Sequence, residues 1–122
     1  MEFHKKDAIY LKIADLMCER ILRSTWPENE RIPSVRELAV NMEVNPNTVM
    51  RTYAYLQEHE IIFNKRGIGY FVAADGRQAT RRLLKSNFVR NELPRVFNTL
   101  DLLDLDFDEL YALYQAYQEA NR

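Results

Sequence analysis

The sequence predicts a mostly α-helical chain with one small β-hairpin, and three features carry this prediction. Two helix starts lie only about eleven residues apart, and a hairpin pattern containing glycines follows the second helix. The last third of the chain then repeats apolar residues at helical spacing. We therefore expect a compact domain over residues 1–74 and a two-helix tail over residues 75–122.

The composition is that of a folded protein, with 47% hydrophobic and 29% charged residues among 122. The formal net charge of −1 argues against nucleic-acid binding through bulk charge, although a specific reader needs only a local basic face. Cys18 is the single cysteine, so no disulfide forms within the chain. Neither a signal peptide nor a membrane span is recognisable, and we expect a cytoplasmic protein with no membrane partner.

A first helix is expected from about residue 8 to residue 23. Its apolar residues recur at helical spacing and are Ile9, Ile13, Leu16, Met17 and Ile21. We interpret this segment as a support helix that packs behind the two short helices that follow.

The next two helix starts are visible in the capping residues. Ser34 and Glu37 have the form of a capping box, so a helix should begin at Val35. Asn45 is a favoured N-cap and Pro46 suits the first helical position of a second helix, which should run to about His59. Two helices at this spacing predict a helix-turn-helix, whose second helix enters a DNA major groove.

The second of these helices has two distinct faces. Val49, Tyr53 and Leu56 form an inward stripe, whereas polar side chains stand near the exposed N-terminal end. Asparagine, threonine and arginine can donate hydrogen bonds to base edges or phosphates. The alternative, a solvated helix face without a partner, stays open on this evidence alone.

A hairpin with a basic tip follows directly. Residues 61–64 and 69–73 have the pattern of strands, and residues 65–68 form the loop. Gly67 and Gly69 allow positive φ and a close approach of the backbone to a partner. A helix-turn-helix followed by such a hairpin is a winged helix.

Three stretches in this order, Arg31–Ala39, Val44–Val49 and Arg66–Val72, resemble the DNA-binding domain of GntR-family transcriptional regulators. The form Val-Asn-Pro-Asn-Thr-Val is similar to the short-chain, YtrA-like branch. The resemblance implies that Arg36, and also Ser34, contact DNA. The full set of expected DNA-contacting residues is Ser34, Arg36, Asn45, Asn47, Thr48, Arg51, Lys65, Arg66 and Gly67.

The chain departs from the common family pattern in two ways. Pro46 and Met50 stand where further polar or basic residues are frequent, so Arg51 alone supplies positive charge on the second helix. Four positions that are often glycine also differ, and we expect slightly altered helix ends there, with a cost of about 1 kcal/mol for a left-handed glutamate. These four are Thr25, Asn29, Glu43 and Glu60.

The tail begins basic and ends acidic. Residues 76–95 carry six basic residues against one acid, and residues 96–122 carry six acids against one arginine. Two interpretations stay open: the charges are solvated helix faces, or the basic part meets DNA phosphates or the acidic part of a second subunit. Asp106 and Glu109 form another capping box, and Pro94 either kinks a helix or lies in the first turn of one begun at Asn91.

Two helices of this length cannot bury their apolar faces alone, so they must pack on the winged helix or on another chain. The family resemblance implies that such a tail makes a homodimer, and a two-fold dimer suits a palindromic operator. The expected dimerisation residues are Leu84, Phe88, Phe97, Leu100, Leu103, Leu110 and Tyr114.

The sequence gives no sign of catalysis, a cofactor or a metal. His4 and His59 are far apart and Cys18 lacks a partner at ligand spacing. No phosphate-binding glycine loop and no nucleophile with a base can be assembled.

We therefore expect a sequence-specific regulator that binds double-stranded DNA as a homodimeric repressor at an inverted repeat. The rival is a winged helix used as a protein-interaction module, which the near-neutral charge motivates. A protein-docking face should expose aromatic or leucine side chains rather than polar ones. The operator, the regulated genes, the sign of regulation and the existence of a small-molecule effector stay open.

Overall fold

The computed structural model describes residues 9–122, so His4 and the first eight positions of the expected domain lie outside the described residues. The order of elements is helical, hairpin, helical, as the sequence predicts, but residues 75–122 form three helices rather than the expected two. They are α1 (Ile9–Leu22), α2 (Val35–Met42), α3 (Pro46–Glu58), β1 (Ile62–Lys65), β2 (Gly69–Val72), α4 (Gly76–Asn87), α5 (Leu93–Leu103) and α6 (Phe107–Ala120).

Contacts divide the chain into two units, and the division falls after Ser86 rather than after Ala74. The reason is that α4 places Ala79 and Leu83 in the same core as the helices before it, and its Gly76 and Thr80 are buried as well. Each unit is described separately below.

Helix α3 lies at the centre of the first unit. Its predicted inward stripe of Val49, Tyr53 and Leu56 is confirmed, since none of the three side chains is exposed. Helix α1 contributes Met17 and Ile21 to the same core. The buried Thr52 hydroxyl donates to the carbonyl of Tyr10 at 2.7 Å and ties α3 to the first turn of α1.

Both predicted helix starts are confirmed with their capping bonds. The Ser34 hydroxyl accepts from the Glu37 N–H at 3.0 Å, and the Ser34 N–H donates to the Glu37 carboxylate at 2.8 Å. Hydrogen bonding of the Glu37 carboxyl to Ser34, first to its backbone N–H and then to its side chain, lowers the pKa of that carboxyl. At α3 the Asn45 side-chain oxygen accepts from the Asn47 N–H at 2.7 Å. Local side-chain chemistry thus fixes where α2 and α3 begin.

Left-handed backbone occurs at or next to the four positions where the family often has glycine and this chain does not, namely Thr25, Asn29, Glu43 and Glu60. Asn29, Glu43 and Glu60 have φ of 69°, 56° and 61°, and the remaining left-handed residue there is Ser24 rather than Thr25. The turns therefore keep left-handed geometry, which costs about 1 kcal/mol for a non-glycine residue.

The hairpin is held to the segment that leads into α2. Strands β1 and β2 are antiparallel, with Ile62 opposite Val72. Arg31 forms a bridge with Phe71, and the Ile32 N–H donates to the Tyr70 carbonyl at 2.9 Å. This third extended segment was not predicted, and it fixes the hairpin beside the start of α2.

Tyr53 connects three parts of this unit. Its hydroxyl donates to the Pro33 carbonyl at 2.6 Å, just before α2. Its ring meets that of Tyr70 on β2 edge to face, with centroids 4.8 Å apart. Burial, with Tyr70 and Glu37 nearby, raises the pKa of the Tyr53 phenol, so the hydroxyl remains a donor.

Helix α4 closes the first unit. The Glu28 carboxylate accepts from the Arg77 N–H at 3.0 Å and so satisfies a free donor in its first turn. A Cβ at Gly76 would lie 2.6 Å from the Val72 side chain, so only glycine allows this close approach to β2. Leu84, one of the expected dimerisation residues, is half-buried against this core.

The second unit contains α5 and α6. A π-helical turn, Phe88–Glu92, precedes α5, and Pro94 lies in the first turn of α5, which begins at Leu93 and not at Asn91. The predicted capping box of α6 is confirmed, with the Asp106 carboxylate accepting from the Glu109 N–H at 2.9 Å. No residue from Asn87 onward is buried.

Removing the Tyr53 hydroxyl tests how far the first unit depends on this contact. We expect Tyr53→Phe to lower the free energy of unfolding by about 1–2 kcal/mol, because the Pro33 carbonyl loses its donor in a dry environment. Urea unfolding followed by circular dichroism measures the change. Tyr111→Phe is the control, since this exposed ring only stacks on Phe107 and its loss of a hydroxyl should change stability by less than about 0.5 kcal/mol. Equal effects of the two variants would contradict the role given to Tyr53.

Candidate nucleic-acid interface

The first half of α3 forms the exposed part of the helix-turn-helix. Asn47, Met50 and Arg51 are exposed, Thr48 is half-buried, and Asn45 caps the helix. Free backbone N–H groups and the positive end of the helix dipole lie at the same end. This end therefore suits a polyanionic partner.

One groove runs between the starts of α2 and α3, and we name it the α2–α3 groove. It brings together the N-terminal turns of both helices and one residue of β2. Its lining residues are Ser34, Val35, Arg36, Pro46, Asn47, Met50 and Tyr70. Three expected DNA-contacting residues, Ser34, Arg36 and Asn47, thus share one surface.

A second groove lies on the other side of α3 and is named the α1–α3 groove. Its lining residues are Ile9, Tyr10, Asn45, Asn47, Thr48 and Arg51. Asn47 lines both grooves, so the α3 N-terminus stands between them. The four residues expected to contact DNA at the start of α3 therefore line one groove; they are Asn45, Asn47, Thr48 and Arg51.

Arg51 is held against Tyr10 in the α1–α3 groove. Its guanidinium carbon lies 3.9 Å from the centroid of the Tyr10 ring, which is a cation–π contact. The Tyr10 ring also meets Tyr55 edge to face, and the Tyr10 carbonyl accepts from Thr52. Tyr10 is thereby fixed, and it limits the directions in which Arg51 can extend.

The hairpin turn carries the remaining expected contacts. Lys65 and Arg66 are exposed, and the Lys65 amino group lies 4.8 Å from the Phe71 ring centroid. Gly67 has φ of 77° with open space around it, so its requirement is conformational. Gly69 has φ of 146°, and a Cβ there would lie 2.9 Å from the Arg31 Nε.

Two of the expected contact residues already have structural bonds. The side chains of Ser34 and Asn45 accept the capping hydrogen bonds of α2 and α3, so each helps to aim a helix N-terminus at the surface. Sequence reasoning missed Tyr10 and Tyr70, and it gave Met50 no role. Position 50 could have been found from its spacing, three residues after Asn47 on the exposed face.

We also considered a metal site, a reactive cysteine and a membrane span within residues 9–122. In that part of the chain, no group of three His, Cys, Asp or Glu residues is placed to hold a metal ion. Burial, with Asp15 nearby, raises the pKa of the Cys18 thiol to about 12, so it stays protonated and unreactive at neutral pH. None of the helices described is both long and apolar enough to cross a membrane.

A helix-turn-helix with an exposed polar second helix, followed by a hairpin with a basic turn, defines a winged-helix DNA-binding protein. The sequence model of the bacterial regulatory proteins of the gntR family matches residues 9–72. The chain belongs to the GntR family. The resemblance drawn from its three motifs is therefore confirmed.

Relatives in the family extend over different shares of the chain. YhcF of Bacillus subtilis, an uncharacterized HTH-type transcriptional regulator, is 31% identical over 118 residues, which are 97% of this chain and 96% of YhcF. The HTH-type transcriptional repressor YtrA of the same organism is 36% identical over 69 residues, 57% of this chain and 53% of YtrA.

The fold is also found in a solved structure. The crystal structure of a GntR-family transcriptional regulator from Bacteroides thetaiotaomicron has a TM-score of 0.82 and 43% identity, and the match covers 94% of this chain and 100% of that one. Membership of this family makes the chain a DNA-binding transcriptional regulator and not an enzyme.

Proposed function

We propose that the protein is a homodimeric repressor that binds an inverted repeat in double-stranded DNA through α3 and the hairpin. One observation carries the proposal: the exposed N-terminal half of α3 stands between two grooves that bring together six of the nine expected contact residues. Since a repressor acts on the chromosome, the proposal places the protein in the cytoplasm.

The contact residues divide by chemistry into two roles. Arg36 and the hairpin pair Lys65 and Arg66 are exposed cations that suit phosphates, while Gly67 lets the backbone approach the duplex. The capped helix N-termini at Ser34 and Asn45 add backbone N–H donors. Phosphate contacts of this kind set the register of the protein on DNA without reading sequence.

Base reading is assigned to the residues on α3. Asn47 has the amide that pairs with the major-groove edge of adenine, and Arg51 has the fork that fits guanine. Thr48 is half-buried and can donate to either kind of base edge. The exposed set is mostly polar, which favours DNA over the rival protein-docking surface.

The dimer rests on the second unit, which has apolar side chains and no buried residue. Phe97, Leu103 and Tyr114 are 53%, 69% and 54% exposed. Exposed apolar surface on this scale marks an interaction site, and a second copy supplies a matching surface by symmetry. Phe88, Leu100 and Leu110 belong to the same unit and join the proposed interface, whereas Leu84 packs on the winged-helix core.

The sign of regulation is taken from a relative. YtrA is named as a repressor, and its matched segment spans 57% of this chain. A protein bound at an operator blocks transcription without any further activity. Repression therefore requires only DNA binding.

Selection of duplexes from a random DNA pool tests the proposed function directly. We expect a two-fold-symmetric consensus with half-sites about one helical turn apart, because two α3 helices related by a dyad must enter successive major grooves. Affinity for the selected duplex should fall steeply with salt, as phosphate contacts release counterions. Absence of enrichment at low salt would overturn the proposal in favour of the protein-interaction rival.

Arg51 and Tyr10 should act together in binding. We expect Arg51→Ala to weaken binding by about 1–3 kcal/mol and to relax specificity at one base pair of each half-site. Tyr10→Leu should cost about 0.5–1 kcal/mol, because the arginine loses its aromatic support, and Tyr10→Phe should bind almost normally. Fluorescence anisotropy on the selected duplex measures all three.

A double-mutant cycle separates this coupling from general damage. In the Arg51→Ala background Tyr10→Leu should have little further effect on affinity. A Tyr10→Leu penalty of the same size with and without Arg51 would show that the contact has no part in binding.

Charged substitutions in the second unit test the dimer. We expect the double variant Phe97→Glu, Leu103→Glu to sediment as a monomer and to bind the full operator far more weakly, because two carboxylates cannot be buried unpaired. Asn98→Glu is the matched control, since it adds a charge to α5 at an exposed polar position. Analytical ultracentrifugation gives the mass of each, and a double variant that remains dimeric would refute this interface.

A further inference from the structure

Met50 is an apolar side chain on the exposed polar face of α3, on the side of the α2–α3 groove. It is 51% exposed, although Asn47 three residues before it and Arg51 directly after it are polar. A single exposed apolar residue is ordinary on a protein surface. Its position, rather than its exposure, makes this one informative.

The position of Met50 places it inside the proposed contact surface. It lines the α2–α3 groove together with Arg36, Asn47 and Tyr70. A duplex that reaches both Arg36 and Asn47 must therefore pass over the Met50 side chain. This step rests on the proposed function, since it takes the α2–α3 groove as part of the DNA-facing surface.

The chemistry of the thioether narrows what Met50 can recognise there. Methionine has no donor and only a weak acceptor, so it cannot read the polar edges of bases. In the major groove the one apolar group on a base edge is the C5-methyl of thymine. A flexible, polarizable side chain adapts well to such a methyl group.

We infer that Met50 is a specificity-determining residue that contacts the methyl group of one thymine in each half-site. Asn47 and Arg51 then read polar base edges beside that thymine, with Asn47 next to Met50 and Arg51 towards the α1–α3 groove. Because α3 has a single arginine, an apolar contact gives it a further way to distinguish thymine from the other bases without adding charge.

Replacement of single thymines by deoxyuridine tests the inference, since this change removes the methyl group and leaves every donor and acceptor in place. The operator selected with the wild-type protein is used, and each thymine of a half-site is replaced in turn, symmetrically in both halves. We expect one position at which affinity falls about fourfold per half-site, the scale of burying one methyl group.

Two variants assign the effect to Met50. Met50→Ala should bind the thymine and deoxyuridine duplexes equally at that position, because the apolar partner is gone. Asn47→Ala should bind both more weakly but should keep the deoxyuridine penalty. Met50 is exposed, so urea unfolding should show that Met50→Ala is as stable as the wild type.

The possible outcomes distinguish a failure of this inference from a failure of the proposed operator binding. If the wild type binds a selected operator and no deoxyuridine penalty disappears in Met50→Ala, the inference is wrong and the proposed function stands. If no duplex is enriched at all, the proposed function fails and the inference falls with it.

Discussion

The buried hydroxyl of Tyr53 joins the parts of the molecule that must be held together for DNA recognition. It donates to the Pro33 carbonyl immediately before α2, and its ring contacts Tyr70 on the hairpin. One side chain of α3 therefore fixes the start of α2 and the base of the hairpin at once. Because all three elements contribute to the α2–α3 groove, the shape of that surface depends on this buried contact more than on any exposed residue.

The parts of the fold that the sequence predicts are those set by local chemistry. Ser34 with Glu37 and Asp106 with Glu109 satisfy backbone donors within three residues, Asn45 accepts from the Asn47 N–H, and Pro46 has no N–H to satisfy. All three helix starts lie where these residues place them. The inward stripe of α3 follows from helical periodicity in the same way. The cap also fixes the helix phase, and so the sequence predicts which residues near the α3 N-terminus are exposed.

The parts that the sequence does not predict depend on contacts between distant residues. The bridge of Arg31 to Phe71, the cap that Glu28 provides for Arg77, and the support of Arg51 by Tyr10 all join segments about forty residues apart or more. Neither periodicity nor capping signals carry such pairings. The domain boundary illustrates the same point, because α4 belongs to the first unit through the core packing of Ala79 and Leu83.

The charge of the chain links the two units functionally. With a net charge of −1, the protein has no general attraction to DNA, and the proposed surface offers only a few cations such as Arg36, Arg51 and Lys65. A single winged helix with so few phosphate contacts gains limited electrostatic free energy. In the proposed dimer, a second copy joined through the second unit doubles the contacts and makes binding at the second half-site an intramolecular event. The proposed function therefore depends on the exposed apolar residues of α5 and α6 as well as on the residues proposed to contact DNA.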